Sequence, residues 1–239
     1  MTEVADQIPD ENARSILKEI KDGEFKRILV LTGAGVSTNA GIPDYRSEGG
    51  IFHDLMKEFP QASTPETLLT RSFVDKYNVF EHKVFTDHID TFKDAKPTAS
   101  HILCKWLYDK GWLVRVYTQN IDGLHHKAGL PDDMIVEFHG SLLKKNVVLY
   151  GDPIPSDVLD KVVADFSRSS NVDLLLVLGT SLKVFPFAGL EARVPYGVTR
   201  ILIDKDPNHD IGRKWRTSGS KFNFINMDID ECANIISSS

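Results

Sequence analysis

Two nearly continuous apolar runs, each passing directly into a glycine turn, constrain the fold of this chain more than any other feature. Residues 27–32 read Arg-Ile-Leu-Val-Leu-Thr, and residues 172–178 read Val-Asp-Leu-Leu-Leu-Val-Leu. Runs that do not alternate between apolar and polar residues are typical of parallel sheets, whose strands are buried on both faces. The chain is therefore predicted to have an α/β fold built on a parallel sheet.

Further strands and helices follow the same alternation along the chain. Strands are predicted at 113–118, 135–138, 200–203 and 222–225, and helices at 13–22 and from about 98 to 110. Between residues 46 and 96 the pattern is helical and rich in aromatic residues. We predict a Rossmann-like doubly wound parallel sheet with a small helical insertion subdomain. Residues 13–48 and 97–235 would form the Rossmann-like domain, and residues 49–96 the insertion.

Composition excludes several classes of protein. The 239 residues carry a net charge of −6 and show no basic stripe, so we expect no nucleic-acid partner. No run of eighteen apolar residues is present and the N-terminus does not resemble a signal peptide, so we expect no membrane association. The two cysteines, Cys104 and Cys232, lie too far apart in sequence for a zinc pair. An intracellular location is expected, cytoplasmic rather than nuclear.

The two glycine turns are candidate nucleotide-binding elements. Gly33-Ala34-Gly35 follows the first apolar run, where it would let a pyrophosphate approach the backbone. The full dinucleotide fingerprint would need glycine at 38, where Thr38 stands. Gly179-Thr180-Ser181 follows the second run, and Asp204 ends a later strand, where a carboxylate suits a ribose diol. A tight turn without a ligand is the alternative for the first of these motifs.

Polar side chains also cluster where two other strands end. Gln119, Asn120 and Asp122 follow one strand, and His139 follows the next. Amide and carboxylate groups can hold ribose hydroxyls, a carboxamide or a water, and an imidazole can act as a general base. Capping of loops by Asn and Asp is the simpler alternative. His125 and His126 are predicted to lie on a helix facing solvent or its cap, and His101 is predicted to be structural.

In combination, these motifs resemble the sirtuin family of NAD-dependent protein deacylases. The resemblance spans most of the chain, and its motifs occur in family order. They are GAGVSTNAGIPDYRS (33–47), PTASH (97–101), TQNIDGLHHKAG (118–129), EFHGS (137–141), VVLYGD (147–152) and GTSLKVFP (179–186).

The resemblance implies a specific reaction and a role for each matching residue. An acyl-lysine protein or peptide would transfer its acyl group to ADP-ribose, with release of nicotinamide from NAD. His139 would be the general base, assisted by Asn120 and Asp122. Val148 and Leu149 would line the acyl-lysine tunnel, and residues 150–152 would pair with the substrate backbone. With His139, the substrate-binding residues are Val148, Leu149, Tyr150, Gly151 and Asp152. The NAD-binding residues would be Gly33, Ala34, Gly35, Ile42, Asp44, Tyr45, Arg46, Gln119, Asn120, Ile121, Asp122, Gly179, Thr180, Ser181, Asp204 and Ile229.

The sequence departs from the family pattern in three places: after the HG motif, at Asp204 and Met227-Asp228, where many relatives have asparagine and Gly-Asp, and in the helical insertion. The family usually carries a zinc-binding module with two cysteine pairs after the HG motif, whereas residues 141–146 here read Ser-Leu-Leu-Lys-Lys-Asn. Zinc is therefore predicted to be absent, with the module deleted near 141–147. Phe80 and Lys83 are the nearest counterpart of the Tyr-x-x-Arg pair of the desuccinylating branch, so uncharged acyl groups are expected. Two alternatives stay open: an NAD glycohydrolase or ADP-ribosyltransferase, and a non-catalytic NAD- or ADP-ribose-binding module.

Overall fold

The protein is built around a single six-stranded parallel sheet. We describe it from a computed structural model that covers residues 11–46, 49–207, 209–216 and 221–238. The strand order is β3-β2-β1-β4-β5-β6, and every neighbouring pair is parallel. The predicted Rossmann-like α/β fold is therefore confirmed. The strands are β1 Ile28–Thr32, β2 Leu113–Thr118, β3 Ile135–Glu137, β4 Leu174–Leu178, β5 Thr199–Ile203 and β6 Phe222–Ile225.

The continuous apolar runs are explained by cores on both faces of the sheet. Within β1, Ile28 and Val30 belong to one buried cluster, whereas Leu29 and Leu31 belong to the cluster on the opposite face. Successive side chains of a strand point to opposite faces, so a strand covered on both sides needs apolar residues at every position. All five residues of β1 are buried.

Helices cover the two faces separately. The α1, α5 and α9 helices contribute to the first cluster, and α7 and α8 contribute to the second. The strand order reverses between β1 and β4, because the chain first adds β2 and β3 on one side of β1. Ligands of open α/β sheets bind outside the carboxyl ends of the strands at such a point. The five covering helices are α1 Glu11–Asp22, α5 Ala99–Asp109, α7 Ser156–Asp165, α8 Asp210–Arg216 and α9 Ile229–Ser237, and the short α6 helix, Leu124–Lys127, follows β2.

A third apolar cluster lies in the helical region between β1 and α5. It is formed by α2 (Ile51–Glu58), α3 (Arg71–Tyr77) and α4 (Lys83–Asp94), with two short 3₁₀ segments between them. Its buried members include several of the aromatic residues that mark this region in the sequence. Leu149 joins the same cluster from the other side, so this region packs against the segment after His139.

Two local features differ from the sequence prediction. The predicted helix start after Gly35 is a 3₁₀ helix, Ala34–Ala40, which ends at Gly41 with φ of 80°. The α1 helix begins one residue before its predicted cap, Asn12. Residues 47 and 48, at the end of the first motif and of the predicted domain segment, lie outside the described residues. None of the described helices is long and apolar enough to cross a membrane.

Candidate active site

The sequence-predicted residues meet in one cleft of about 1120 Å³ at the carboxyl edge of the sheet. The hydrogen-bond ladder continues one residue beyond the strands, since Gln119 N donates to Thr32 O at 3.1 Å and Gly179 N donates to Ile203 O at 3.3 Å. This continuation fixes the first residue of each following loop. All the predicted NAD-binding and substrate-binding residues line the cleft except Gly33, Asp122 and Ile229.

The two glycine turns pack directly against each other. Gly35 N donates to Gly179 O at 2.9 Å. A Cβ on Gly35 would lie 2.7 Å from Gly179 Cα, and a Cβ on Gly33 would lie 2.6 Å from the Thr180 side chain. Ile229 packs against Gly179 from behind. Gly33 and Ile229 therefore support the turns, while the adjacent backbone lies at the cleft surface.

A buried hydrogen-bond network links Asn120 to Asp122 through a serine. Asn120 Nδ2 donates to Gly33 O at 3.0 Å and to Ser37 Oγ at 3.1 Å, and Ser37 Oγ donates to Asp122 Oδ2 at 2.8 Å. Asp122 Oδ1 accepts from Leu124 N at 2.9 Å. Asn120 is 7% exposed and Asp122 is 6% exposed. Both side chains are held in one orientation, with Asp122 behind the cleft wall. The sequence analysis missed Ser37, because only the fold brings it to these residues.

His139 lies in the cleft wall as a neutral imidazole. Burial lowers its pKa to about 4, and a hydrogen bond with the backbone of Gln119 acts in the opposite direction. The rings of Phe138 and Phe187 lie 5.8 and 6.3 Å from the imidazole centroid. At pH 7 the side chain therefore has a lone pair available to accept a proton.

Apolar side chains from the helical region form the wall of the cleft next to Val148 and Leu149. Its polar edge is the Arg46 Nη1–Glu66 Oε1 ion pair at 2.9 Å. Lys83 is not part of this wall, because it is exposed and pairs with Asp87 at 2.5 Å. This wall was largely missed by the sequence analysis, because helical aromatics read equally well as core. It consists of Phe52, Leu69, Phe80 and Phe85.

The family model described as Sir2 family matches residues 33–146 and 141–186 of this chain. The chain belongs to the Sir2 family. The fold agrees, since a solved structure described as a structural basis for the mechanism and regulation of Sir2 enzymes superimposes with a TM-score of 0.72. That match covers 94% of this chain and 96% of the other, at 22% sequence identity, and supports the fold alone.

Curated relatives of this Sir2 family member are enzymes by name. The chain is 33% identical over 236 residues to the NAD-dependent protein deacetylase hst2 of Schizosaccharomyces pombe, covering 82% of this chain and 68% of that protein. It is 32% identical to the NAD-dependent protein deacetylase sirtuin-2 of Danio rerio, covering 84% and 62%. It is 31% identical to sirtuin-3 of Mus musculus, covering 75% and 62%. The chain thus spans about two thirds of the length of these relatives.

The edge of the cleft beside Asp204 contains a buried histidine that the sequence analysis missed. His209 Nε2 donates to Thr180 O at 2.8 Å, and His209 Nδ1 accepts from Gly212 N at 3.2 Å. Both ring nitrogens are therefore engaged in hydrogen bonds. His209 holds the second glycine turn beside Asp204, which lies at the cleft surface as predicted. The surrounding sequence, Pro-Asn-His-Asp, has no periodicity that would have indicated this role.

Two further histidines of the Sir2 motifs lie side by side in the protein interior. The prediction that His125 faces solvent or a helix cap is wrong: it is 2% exposed, and its Nε2 lies 3.0 Å from Thr32 Oγ1. His101 Nδ1 accepts a hydrogen bond from Thr98 N at 3.2 Å. This bond caps the start of α5, which is a structural role for His101. The two ring centroids are 4.6 Å apart. Burial lowers the pKa of His101 to about 4 and lowers that of His125 well below its usual value.

The residues at the position of the family's usual zinc module do not fit a zinc ion. The segment 141–146 offers no thiolate, imidazole or carboxylate, which are the ligands zinc requires. Cys104 and Cys232 are buried in α5 and α9. Within the described residues, no group of three or more His, Cys, Asp or Glu side chains is arranged to hold a metal. The prediction that the protein works without zinc remains to be tested by chelation.

Proposed function

We propose that this chain is an NAD-dependent protein-lysine deacylase. The observation that carries the proposal is the meeting, in one cleft, of the two glycine turns, of Asn120, which Ser37 and Asp122 hold from behind the wall, and of neutral, half-buried His139. In this reaction the acyl oxygen of a substrate lysine would displace nicotinamide from C1′ of the NAD ribose. Water would then cleave the bond between the acyl carbon and the lysine nitrogen, releasing the free lysine and leaving the acyl group on a ribose hydroxyl of ADP-ribose. The names of the curated relatives agree with this activity.

Each residue of the network has an atom suited to this chemistry. His139, as a neutral imidazole, would accept the proton of a ribose hydroxyl. The Asn120 amide nitrogen is already used by Gly33 O and Ser37 Oγ, so its oxygen is the atom left for a ribose hydroxyl or a water. From behind the wall, Asp122 would orient Asn120 through Ser37. To hold the nicotinamide carboxamide, as the resemblance implies, its carboxylate would turn into the cleft, where Ile42 would pack against the ring. Asn120 and His139 already line the cleft in this arrangement, so these two residues need no rearrangement when NAD binds.

The NAD phosphates and ribose would lie along the glycine turns. Ala34, Gly35 and Gly179 present backbone at the cleft surface, as close approach of a pyrophosphate requires. Asp204 would accept the hydroxyls of the adenosine ribose and disfavour a 2′-phosphate. Arg46, Gln119 and Ser181 would complete the contacts with NAD.

An acyl-lysine peptide would bind on the side of Val148 and Leu149. Tyr150, Gly151 and Asp152 would pair with its backbone as an added strand, so that affinity comes from main-chain hydrogen bonds. We expect uncharged acyl groups, because the cleft wall beside Leu149 is apolar and Lys83 lies outside it. A carboxylated acyl group would be buried there without a cation of its own.

We further propose a domain division, a location and a set of partners for the protein. Residues 49–96 would act as a cofactor-loop subdomain against the Rossmann-like domain formed by 13–48 and 97–235. The protein would act without zinc, nucleic acid or a membrane, and within the cytoplasm. Its macromolecular partner would be the acylated protein substrate.

A peptide assay tests the proposed reaction. An acetyl-lysine peptide is incubated with NAD, with and without a chelator, and followed by mass spectrometry and by nicotinamide release. We expect loss of the acetyl group, equimolar nicotinamide and no effect of chelation. Absence of deacylation by the wild type would refute the proposal.

The same assay separates the alternatives. The His139→Ala variant should lose roughly 10²-fold to 10⁴-fold in turnover, the usual contribution of a general base, while still binding NAD. Nicotinamide release that does not require the peptide would instead indicate a glycohydrolase or a transferase. Tight NAD or ADP-ribose binding in calorimetry with no nicotinamide after long incubation would indicate a non-catalytic module.

A further inference from the structure

The segment Ser141–Asn146 forms a closed turn between the candidate base and the candidate substrate wall. Ser141 N donates to Asn146 Oδ1 at 2.9 Å, and Asn146 N donates back to Ser141 O at 3.2 Å. Asn146, at the end of the turn, therefore closes the turn with both its backbone N–H and its side-chain oxygen. Lys145, at φ of 54°, takes the left-handed conformation that reverses the chain inside the turn.

This turn is fixed to the site on both sides. Val148 N donates to His139 O at 2.9 Å, so the wall residue is hydrogen-bonded to the backbone of the base. Gly140 has φ of 73°, and a Cβ there would overlap the carbonyl oxygen of Asn146. The backbone of residues 146 and 147 therefore lies directly on Gly140, between the base and the acyl-lysine tunnel.

The turn is also anchored to the two structures that surround the cleft. Leu142 N donates to Ile121 O at 3.4 Å, and the Leu142 side chain packs against the clusters that contain Ile42 and Leu149. Beyond Val148, Tyr150 N donates to Leu69 O at 2.9 Å, which joins the segment after the turn to the helical region. A shift of the turn would therefore move Val147 and Val148 relative to His139.

We infer that Asn146 is a positioning residue for acyl-lysine binding, taking over the closure of this loop where the family pattern has a metal-binding module. The inference rests on the proposed deacylase function. Loss of the Asn146 amide oxygen would leave the N–H of Ser141, a residue that is almost fully buried, without its partner. The turn between Ser141 and Asn146 would then open more easily, and Val148 in the tunnel wall would no longer be held at a fixed position relative to His139. The glycine turns that would bind NAD lie outside this loop and keep their contacts.

Three variants test this role by comparing the effect of each substitution on peptide binding with its effect on NAD binding. Asn146→Ala removes the accepting oxygen, and Asn146→Asp keeps a carboxylate oxygen at the same position. Leu143→Ala is the matched control, since Leu143 lies in the same turn, is 71% exposed and takes no part in the closure. Each protein is titrated by calorimetry with an acetyl-lysine peptide and, separately, with NAD, and its KM and kcat are measured for both substrates.

We expect Asn146→Ala to weaken peptide binding and raise the peptide KM roughly tenfold, the effect of one unsatisfied buried donor, with NAD affinity within about twofold of wild type. Asn146→Asp and Leu143→Ala should bind the peptide as wild type does. Equal loss of peptide and NAD affinity in Asn146→Ala, or no loss of either, would overturn the inference. Failure of Asn146→Asp to restore peptide binding would overturn it as well. A wild type that neither binds nor deacylates the peptide would instead refute the proposed function.

Discussion

Acidification from pH 7 to pH 5 is expected to destabilise this protein through its buried histidines. Burial lowers the pKa of His101 from 6.5 to about 4. In the unfolded chain the imidazole is hydrated and titrates near 6.5. The unfolded state therefore binds more protons between these two values, and the stability present above pH 6.5 is lost progressively as the pH falls through about 4.

The magnitude follows from the size of the shift. One pKa unit corresponds to about 1.4 kcal/mol, so a histidine of this kind contributes about 2 kcal/mol less to the free energy of unfolding at pH 5 than at pH 7. His139 has a similarly lowered pKa, and that of His125 is lowered in the same direction. His101 and His139 together are expected to remove roughly 4 kcal/mol in this interval, a large part of a typical domain's stability, and His125 acts in the same direction.

Urea unfolding followed by tryptophan fluorescence at pH 8, 7, 6 and 5 measures this loss. The test variant is His101→Asn, whose side-chain oxygen can still accept the hydrogen bond from Thr98 N. The quantity compared between variant and wild type is the change in the free energy of unfolding with pH, not its value at any one pH. Its loss of stability between pH 7 and pH 5 should be about 2 kcal/mol smaller than that of wild type, with no difference between pH 8 and pH 7. Equal pH dependence in the two proteins would refute the assignment of His101 as a buried, neutral group.

Three further variants test single structural contacts. Ser37→Ala should lower kcat by roughly tenfold, because Asp122 loses one of its two hydrogen bonds, and thermal unfolding should separate this effect from misfolding. Gly140→Ala should cost at least about 2 kcal/mol in urea unfolding, because φ is 73° and the new Cβ would overlap the Asn146 backbone; a smaller cost would argue against that packing. Asp165→Ala removes the ion pair with Arg115 Nε at 2.5 Å and the acceptor of the buried Tyr117 hydroxyl, and it should cost roughly 3–5 kcal/mol without changing either KM. A changed KM in the Asp165 variant would show that the sheet face covered by α7 influences the site.

The fold class was predictable from sequence because the decisive signal is local. A strand covered by helices on both faces must be apolar at every position, and this pattern is visible in β1 and β4 without any knowledge of their partners. The parallel arrangement then places all strand ends at one edge. For this reason Asn120, His139 and Gly179 could be assigned to a common site before their distances were known.

The limits of the sequence prediction appear where residues distant along the chain meet. Ser37 bonds to Asp122 across 85 residues, and His125 meets Thr32 across 93, so neither contact leaves a periodic signal. The histidine prediction was wrong for this reason: a short polar helix looks exposed until the fold covers it. His209 was missed for the same reason.

Sequence alone determined the type of fold, the residues at the strand ends and the loss of the cysteine pairs after His139. Only the tertiary structure decided how that shortened segment is closed, through Asn146 and Ser141, and which aromatic residues face the cleft. The physical reason is the range of the forces involved. Backbone geometry and apolar periodicity act over a few neighbouring residues, whereas burial, pKa values and hydrogen-bond partners depend on whatever the folded chain brings alongside.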